Sequence, residues 1–251
     1  MGTRPIALVT GATQGIGRAI AERLAADGYS VGVNGPAESP QLTDVVEAVG
    51  GFGVPADISD PDAIATAVAA VEGDHGPISV LVCNAAYMSM ATVVDHDPAD
   101  WWKVVDTNLS GTFHTIQSVL PGMRALGGGR IVIIASEWGV TGWPRATAYA
   151  ASKSGLIALT KTLGRELARE NIIVNAVAPG VIDTPQLEVD AADEGIGLSE
   201  MHQRYAQDIP VGRIGRPGEI ADTVAFLASP RLGALIGQTI QINGGATRCR
   251  V

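Results

Sequence analysis

Short runs of apolar, β-branched residues alternate with helical patterns along nearly the whole chain. The runs cover residues 6–9, 29–33, 78–83, 130–135, 172–177 and 239–242, and each is typical of a strand buried on both faces. Helical patterns lie between them, including residues 15–27, 61–72, 98–126 and 146–170. This order predicts an α/β fold with a doubly wound parallel sheet of about seven strands and helices on both faces.

Length and charge narrow the range of partners. The chain has 251 residues, of which 46% are hydrophobic, and contains no linker or internal repeat, so we expect one domain over residues 1–251. The net charge of −9 argues against nucleic acid and anionic membranes as partners. Two cysteines, Cys83 and Cys249, and the lack of an export signal predict a reduced, cytoplasmic setting.

In doubly wound sheets, ligands bind beyond the carboxyl ends of the strands. Residues 10–17, 84–86, 136–138 and 179–184 follow predicted strands and are therefore the first candidates for a site. The first of these segments, TGATQGIG, carries Gly11, Gly15 and Gly17 at the start of a helix. Glycines at such a turn allow a pyrophosphate to approach the helix N-terminus, although a simple tight turn is the alternative interpretation.

Tyr149 and Lys153 are four residues apart in a helical pattern, so their side chains share one helix face. An ammonium about 4 Å from a phenolate contributes about 4 kcal/mol, enough to bring the tyrosine pKa from about 10 toward neutrality. Such a phenol can exchange a proton with a carbonyl or alcohol oxygen. Ser136 follows the run RIVIIA and could bind the reacting oxygen. A half-exposed tyrosine, a solvated lysine and a capping serine are the alternative interpretations.

These motifs together resemble the classical short-chain dehydrogenase/reductase family. TGATQGIG, CNAA, Asn108, Ser136, YAASK and PGVIDT occur in that family's order over nearly the whole chain, with Tyr149 thirteen positions after Ser136. The resemblance implies a Rossmann-like fold and a nicotinamide cofactor. It also implies that Tyr149 is the acid/base, that Lys153 lowers its pKa and holds the ribose, and that Ser136 orients the substrate oxygen.

The resemblance further implies that Asn108 holds a water in a proton relay, whereas from spacing alone we would expect a helix-interior amide satisfied by backbone. It implies no metal ion. The residues that it places at the cofactor, besides Tyr149 and Lys153, are Gly11, Gln14, Gly15, Ile16, Gly17, Asp57, Ile58, Asn84, Ala85, Pro179, Gly180, Ile182 and Thr184. CNAA has an alanine where the family more often has glycine, which could narrow the groove.

The end of the second predicted strand bears on the choice of cofactor. Sites that prefer NAD usually carry a carboxylate there, and NADP sites carry a cation for the extra phosphate. This chain has Asn34, Gly35 and Pro36 at these positions and Gln14 in the glycine turn. Without a cation we expect NAD, with NADP not excluded and with Glu38 as a possible source of the carboxylate.

Residues 184–210 correspond to the family's substrate lid and hold several carboxylates near their start. An acidic lid favours a neutral or amine-bearing small molecule over a carrier-bound thioester, although a solvated acidic surface explains the same charges. Aromatic and apolar side chains near the strand ends could wall the pocket, with core packing as the alternative. The candidate substrate residues are Trp138, Trp143, Met88 and Leu187.

We therefore expect an enzyme that transfers hydride reversibly between NAD(H) and a small secondary alcohol or ketone, with aromatic and amine-bearing molecules among the candidates. The first alternative is an NADP-dependent reductase of 3-oxoacyl thioesters. The second, from another class, is a catalytically silent nucleotide sensor. By resemblance the protein is a homotetramer.

Overall fold

The computed structural model describes residues 4–247 and contains one parallel sheet. Its seven strands pair in the order β3-β2-β1-β4-β5-β6-β7. This confirms the predicted doubly wound sheet. The strands are β1 (Ile6–Val9), β2 (Ser30–Gly35), β3 (Phe52–Pro55), β4 (Ile78–Cys83), β5 (Gly129–Ile134), β6 (Ile172–Pro179) and β7 (Thr239–Ile242).

Helices connect the strands and cover both faces of the sheet. A π-helical turn at Asp106–Ser110 divides the predicted helix over 98–126 into two, and a 3-10 turn at Ala168–Glu170 ends the helix that carries Tyr149. The α-helices are α1 (Gly15–Ala26), α2 (Pro40–Val49), α3 (Pro61–His75), α4 (Pro98–Val105), α5 (Gly111–Ala125), α6 (Trp138–Thr141), α7 (Thr147–Leu167), α8 (Gln186–Asp193), α9 (Leu198–Gln207) and α10 (Pro217–Ala228).

The two faces of the sheet make two separate apolar cores. Side chains alternate along each strand, so Leu8 of β1 packs on one face and Val9 on the other, and both are fully buried. Helices α3, α5 and α7 cover the first face, and α1, α2 and α10 cover the second. Burial of each large aliphatic side chain stabilises the fold by about 1.5–3 kcal/mol. The strands therefore hold their carboxyl ends in a fixed row.

The strand order reverses between β1 and β4, and polar side chains tie these two strand ends together. The Thr10 hydroxyl accepts hydrogen bonds from the backbone N–H groups of Asn84 and Ala85, at 3.0 and 3.1 Å. The Asn84 amide donates in return to the carbonyl oxygens of Thr10 and Gly11, at 3.0 and 2.9 Å. The glycine turn therefore begins from a rigid position.

Asn34, the fifth residue of β2, holds the same turn from the other side. Its Nδ2 donates to the carbonyl oxygens of Val54 and Ala56, at 2.8 and 2.9 Å, and its Oδ1 accepts from Gly11 N–H at 3.3 Å. The side chain is 1% exposed. A buried amide whose donors and acceptor are all used stabilises its surroundings, so Asn34 has a structural role.

The segment 184–210 contains two helices, α8 and α9, that pack over the ends of the central strands. Leu187 of α8 forms a small apolar cluster with Ile209 and Ile214, against which Tyr205 packs. This cluster is separate from the two cores of the sheet. The segment thus has its own small apolar cluster, and its role as a substrate lid stays a prediction.

Cys83 is buried at the end of β4 as a free thiol, and burial raises its pKa. The second cysteine, Cys249, lies outside the described residues. Within residues 4–247, no helix combines the length and apolar character that crossing a bilayer requires.

Replacing Asn34 with leucine should lower the free energy of unfolding by about 3 kcal/mol, because two buried carbonyl oxygens and one N–H would lose their partner. Urea unfolding followed by circular dichroism measures the change. The control is Gln41→Leu at an exposed position of helix α2, which should change stability by less than about 0.5 kcal/mol. Equal stability of the two variants would show that Asn34 does not hold the turn.

Candidate active site

A cavity and a groove meet at the carboxyl ends of the central strands. The cavity, of about 200 Å³, lies between β5, α7 and the segment with α8 and α9. The groove, of about 580 Å³, runs along the glycine turn and the end of β2. Ala86 lines both spaces. The alanine in CNAA therefore stands at their junction, and the groove remains open around it.

Three of the predicted catalytic residues lie together in the wall of the cavity. Ser136 comes two residues after β5, and Tyr149 and Lys153 lie one turn apart on α7. A hydrogen bond joins the Ser136 and Tyr149 side chains. Lys153 Nζ lies 5.4 Å from the centre of the Tyr149 ring and donates to the Ile134 carbonyl oxygen at 2.8 Å. The structure thus brings the serine, tyrosine and lysine into one site.

The pKa values of this group differ from the sequence-based expectation. Burial raises the pKa of Tyr149 to about 12, and the hydrogen bond with Ser136 offsets this only in part. Burial also lowers the pKa of Lys153 to about 8. These directions differ from the expectation that Lys153 brings the phenol toward neutrality, because burial disfavours the charged form of both groups. The role of Lys153 in lowering the pKa of Tyr149 stays a prediction.

Asn108 lies on the π-helical turn and is fully buried. Its Oδ1 accepts from Tyr87 N–H at 2.8 Å, and its Nδ2 donates to the Tyr87 carbonyl oxygen and to Ser152 Oγ, at 3.0 and 3.1 Å. These partners match the alternative of an amide satisfied within the protein. Asn108 links the segment after β4 to α7, next to Tyr149, and its role in a water relay stays a prediction.

The glycine turn has the shape that a bound dinucleotide requires. Gly11 has φ +60°, and a Cβ there would lie 2.6 Å from Ala85 Cα; a Cβ at Gly17 would collide with the Gly11 carbonyl oxygen. Gly15 also has a positive φ, of +55°. Only glycine fits these positions without strain, and the turn leads into the N-terminus of α1, where backbone N–H groups favour phosphate.

The predicted cofactor residues all line the groove, the cavity or both. Pro179, the last residue of β6, and Gly180 and Ile182, which follow it, border the cavity together with Tyr149 and Lys153. The remaining predicted residues line the groove and are Gly11, Gln14, Gly15, Ile16, Gly17, Asp57, Ile58, Asn84, Ala85 and Thr184. These residues fit an extended dinucleotide that runs from the glycine turn to Tyr149.

The end of β2 offers neither a carboxylate nor a cation to the groove. Pro36 lines the groove, while Glu38 is exposed and is not among the lining residues. Asn34 also lines the groove, but its amide is already committed to backbone. Lys103 is the cation among the described residues that border this space, and its ammonium lies 4.3 Å from the centre of the Tyr87 ring.

Three of the four predicted substrate residues line the cavity: Met88, Trp138 and Leu187. The ring of Trp138 meets Tyr149 edge-on, with 5.9 Å between centroids. Trp143 is half-exposed and stacks on the outer side of Trp138 at 5.1 Å. Trp143 is not among the residues that line this cavity, but it lines a neighbouring pocket together with Met88 and Asp190, so its contact with substrate stays a prediction.

Glu137, directly after Ser136, also lines this cavity, and its carboxylate was not predicted from the sequence. Glu137 is 8% exposed, and its Oε2 is buried with no hydrogen-bond partner in the part of the chain that the structure describes. Asp190 of α8 is a second carboxylate in the lining. The rule that residues after strands bear function already covered residues 136–138, but gave Glu137 no role.

Comparison with known proteins agrees with this geometry. A family model described as enoyl-(acyl carrier protein) reductase matches residues 11–247, which is nearly the whole chain. The chain belongs to the short-chain dehydrogenase/reductase family. The resemblance seen in the sequence motifs is therefore confirmed, and the protein is an oxidoreductase by family.

Several members of the family are similar over their full length. The 3-oxoacyl-(acyl-carrier-protein) reductase FabG of Staphylococcus aureus is 39% identical over 95% of this chain and 96% of its own length. Nodulation protein G of Azospirillum brasilense is 39% identical over 97% and 98%. A variant of the actinorhodin polyketide ketoreductase, solved with NADPH, superimposes with a TM-score of 0.92 at 37% identity, over 98% of this chain and 99% of that one.

The lowered pKa of Lys153 should change how the free energy of unfolding depends on pH. Folding lowers the pKa of Lys153 from 10.5 to about 8, so between these values the unfolded state binds a proton that the folded state does not. Stability contributed by this group therefore rises with pH in that interval. Between about pH 7.5 and about pH 9.5, the wild type should gain about 2 kcal/mol relative to Lys153→Met.

Urea unfolding at the two pH values checks this. Lys161→Met removes an exposed lysine from the same helix and should show no such relative change. A Lys153→Met variant whose stability runs parallel to that of the wild type would mean that Lys153 stays protonated in the folded chain.

Proposed function

We propose that this protein is a ketoreductase that uses a nicotinamide cofactor to reduce a ketone to a secondary alcohol. The observation that carries the proposal is the hydrogen-bonded pair of Ser136 and Tyr149, which stands beside Lys153 where the cavity meets the groove. A carbonyl oxygen in the cavity can reach both hydroxyl groups. A catalytically silent sensor is disfavoured, because nucleotide binding alone does not require this arrangement.

The described side chains account for the proton side of the reaction. With a pKa of about 12, the Tyr149 phenol is protonated at neutral pH and can donate its proton to the carbonyl oxygen. Ser136 can donate a hydrogen bond to the same oxygen as negative charge develops there. When bound, the nicotinamide cofactor supplies the hydride to the carbonyl carbon.

Lys153 completes the set by stabilising the Tyr149 phenolate that proton donation leaves. Its ammonium is oriented by the Ile134 carbonyl oxygen and lies on the same helix face as the tyrosine. An adjacent positive charge favours the phenolate, so the attraction matters most after proton transfer. Before proton transfer, burial disfavours the charged phenolate. After proton transfer, the same low dielectric increases the attraction between the phenolate and the ammonium.

The similar proteins include 3-oxoacyl-(acyl-carrier-protein) reductases and a polyketide ketoreductase. This similarity favours the 3-oxoacyl thioester alternative over the expectation of an NAD-dependent alcohol dehydrogenase. We therefore place a 3-oxoacyl group on an acyl carrier protein first among the substrates to be tested. A small, positively charged ketone is the second candidate. The specific observation that favours it is the pair of carboxylates, Glu137 and Asp190, in the lining of the cavity.

NADPH is the proposed reductant, by similarity to the actinorhodin ketoreductase that was solved with it. The lack of a cation at Pro36 weakens the basis for discriminating against NADH, so we propose that NADH is also accepted.

The segment with α8 and α9 is proposed to close over the substrate. Exposed Trp102 and Phe113, on α4 and α5, are proposed as contacts of a homotetramer.

Replacing Tyr149 with phenylalanine should lower kcat for ketone reduction by a factor of about 10² to 10⁴, because the proton donor is lost. The dissociation constant of the cofactor should change by less than about twofold, since the ring remains. Turnover is measured with acetoacetyl-N-acetylcysteamine and with small ketones, and cofactor binding by fluorescence titration. Tyr29→Phe, away from the site, is the control. Substantial activity in the Tyr149 variant would reject it as the acid.

Adding a cation at the end of β2 should sharpen the choice of cofactor. Pro36→Arg places a guanidinium beside the groove, where a charge-assisted bond to the extra phosphate contributes about 1.5–3 kcal/mol. NADPH affinity should rise at least about tenfold relative to NADH. Pro36→Gln controls for loss of the proline ring. If both variants changed the ratio equally, the missing charge would not be what limits discrimination.

A further inference from the structure

Glu137 brings a carboxylate to the wall of the cavity, and one oxygen of that carboxylate, Oε2, is buried without a partner in the described part of the chain. The side chain is more than nine-tenths buried. A buried carboxylate oxygen without a partner is costly, since it has lost its contact with water. Such a group is expected where a ligand supplies the missing partner.

The surroundings of Glu137 hold it in place. Its backbone N–H donates to the Pro179 carbonyl oxygen at 2.9 Å, and the Asn243 side chain forms a hydrogen bond with its carboxylate. Gly180 leaves room for both side chains, because a Cβ there would lie 2.8 Å from Asn243 Cβ and 3.3 Å from Glu137 Oε1. The carboxylate in the cavity wall is therefore held by a supported side chain.

A second carboxylate faces the same space. Asp190 of α8 is partly buried, and its Oδ1 accepts from Gln186 at 3.0 Å. Lys153 is the cation among the described residues lining the cavity, and its ammonium is engaged by the Ile134 carbonyl oxygen. The cavity thus holds two carboxylates and a single lysine, an arrangement that attracts cations and repels anions.

We propose that Glu137 and Asp190 form a subsite for an ammonium group, and that the enzyme reduces small ketones carrying an amine close to the carbonyl. The inference rests on the proposed ketone reduction and narrows its substrate class. Because Glu137 follows Ser136 directly, an ammonium at Glu137 stands near the carbonyl that Ser136 and Tyr149 bind. The Trp138 ring, which also lines the cavity, offers the cation an aromatic surface.

A protonated Glu137 would have a different use. Burial raises the pKa of this carboxyl, and the hydrogen bond with Asn243 lowers it. In its neutral form, Glu137 would donate a hydrogen bond to an uncharged substrate, such as a 3-oxoacyl thioester. The two possibilities are distinguished by the charge of the preferred substrate.

The test compares two ketones of the same size. The first is 1-aminopropan-2-one, the smallest α-amino ketone, and the second is butan-2-one, in which a methyl group replaces the ammonium. The wild-type enzyme with NADPH should show kcat/KM for the amino ketone at least about tenfold higher, mainly through a lower KM. Acetoacetyl-N-acetylcysteamine is measured alongside as the neutral thioester.

Variants then assign the preference to residues. Glu137→Gln should lower the ratio of the two kcat/KM values at least about tenfold, and Glu137→Asp, which retains the charge, should recover part of it. Asp190→Asn should lower the ratio less, since this carboxylate is only partly buried. Glu188→Gln changes the charge of an exposed carboxylate on the same helix and should leave the ratio as in the wild type.

Binding provides a readout that does not depend on turnover. Calorimetry with the cofactor-bound enzyme should show 1-aminopropan-2-ol binding at least about tenfold more tightly than butan-2-ol, and Glu137→Gln should remove the difference. Failure to reduce any ketone, with this difference intact, would reject the proposed function and retain the subsite. Equal binding of the two alcohols, a preference for the thioester, or a preference that survives Glu137→Gln would overturn the subsite.

Discussion

The position of the glycine turn is the constraint on which the rest of the site depends. Asn34 from β2 holds Gly11, and Asn84 after β4 holds the carbonyl oxygens of Thr10 and Gly11. Both anchors are neutral amides whose hydrogen bonds go mainly to backbone, so the turn is held without introducing charge into the groove. The close approach of Gly11 to Ala85 follows from this clamp and leaves the N-terminus of α1 facing open space. These contacts determine the shape of the groove and of the cavity beside it.

Most of the architecture could be predicted from hydrophobic periodicity, because each central strand is buried on both faces and reads as an uninterrupted apolar run. Strand β3 was not predicted, because it lacks such an apolar run. It is an edge strand of four residues containing a glycine and a proline, and only Val54 in it is buried. The π-helical turn at Asp106–Ser110 was also beyond prediction, since the apolar pattern continues through it. In the structure this turn places the Asn108 amide in hydrogen bonds with the Tyr87 backbone, which the local sequence does not reveal.

The residues of the site were predictable from motif and strand-end position, whereas their energetics were not. Spacing placed Tyr149 and Lys153 on one helix face, but it carries no information about how deeply the pair is buried, and burial determines the direction of both pKa changes. Asn108 shows the same limit, because its partners come from distant parts of the chain. Glu137 was overlooked for a related reason. A glutamate in a loop is ordinarily solvated, and only the fold shows that this one is enclosed.

The adjacency of Ser136 and Glu137 has an evolutionary consequence. Ser136 is proposed to serve the reduction, and Glu137 is proposed to set the charge of the cavity, without a hydrogen bond to Tyr149 or Lys153 in the described chain. A single mutation at Glu137 can therefore change which molecules enter while the proton donor keeps its position. After gene duplication, a lineage built on this scaffold can move between charged and uncharged substrates in one step. Such separation of selectivity from chemistry helps to explain how one scaffold hosts many activities.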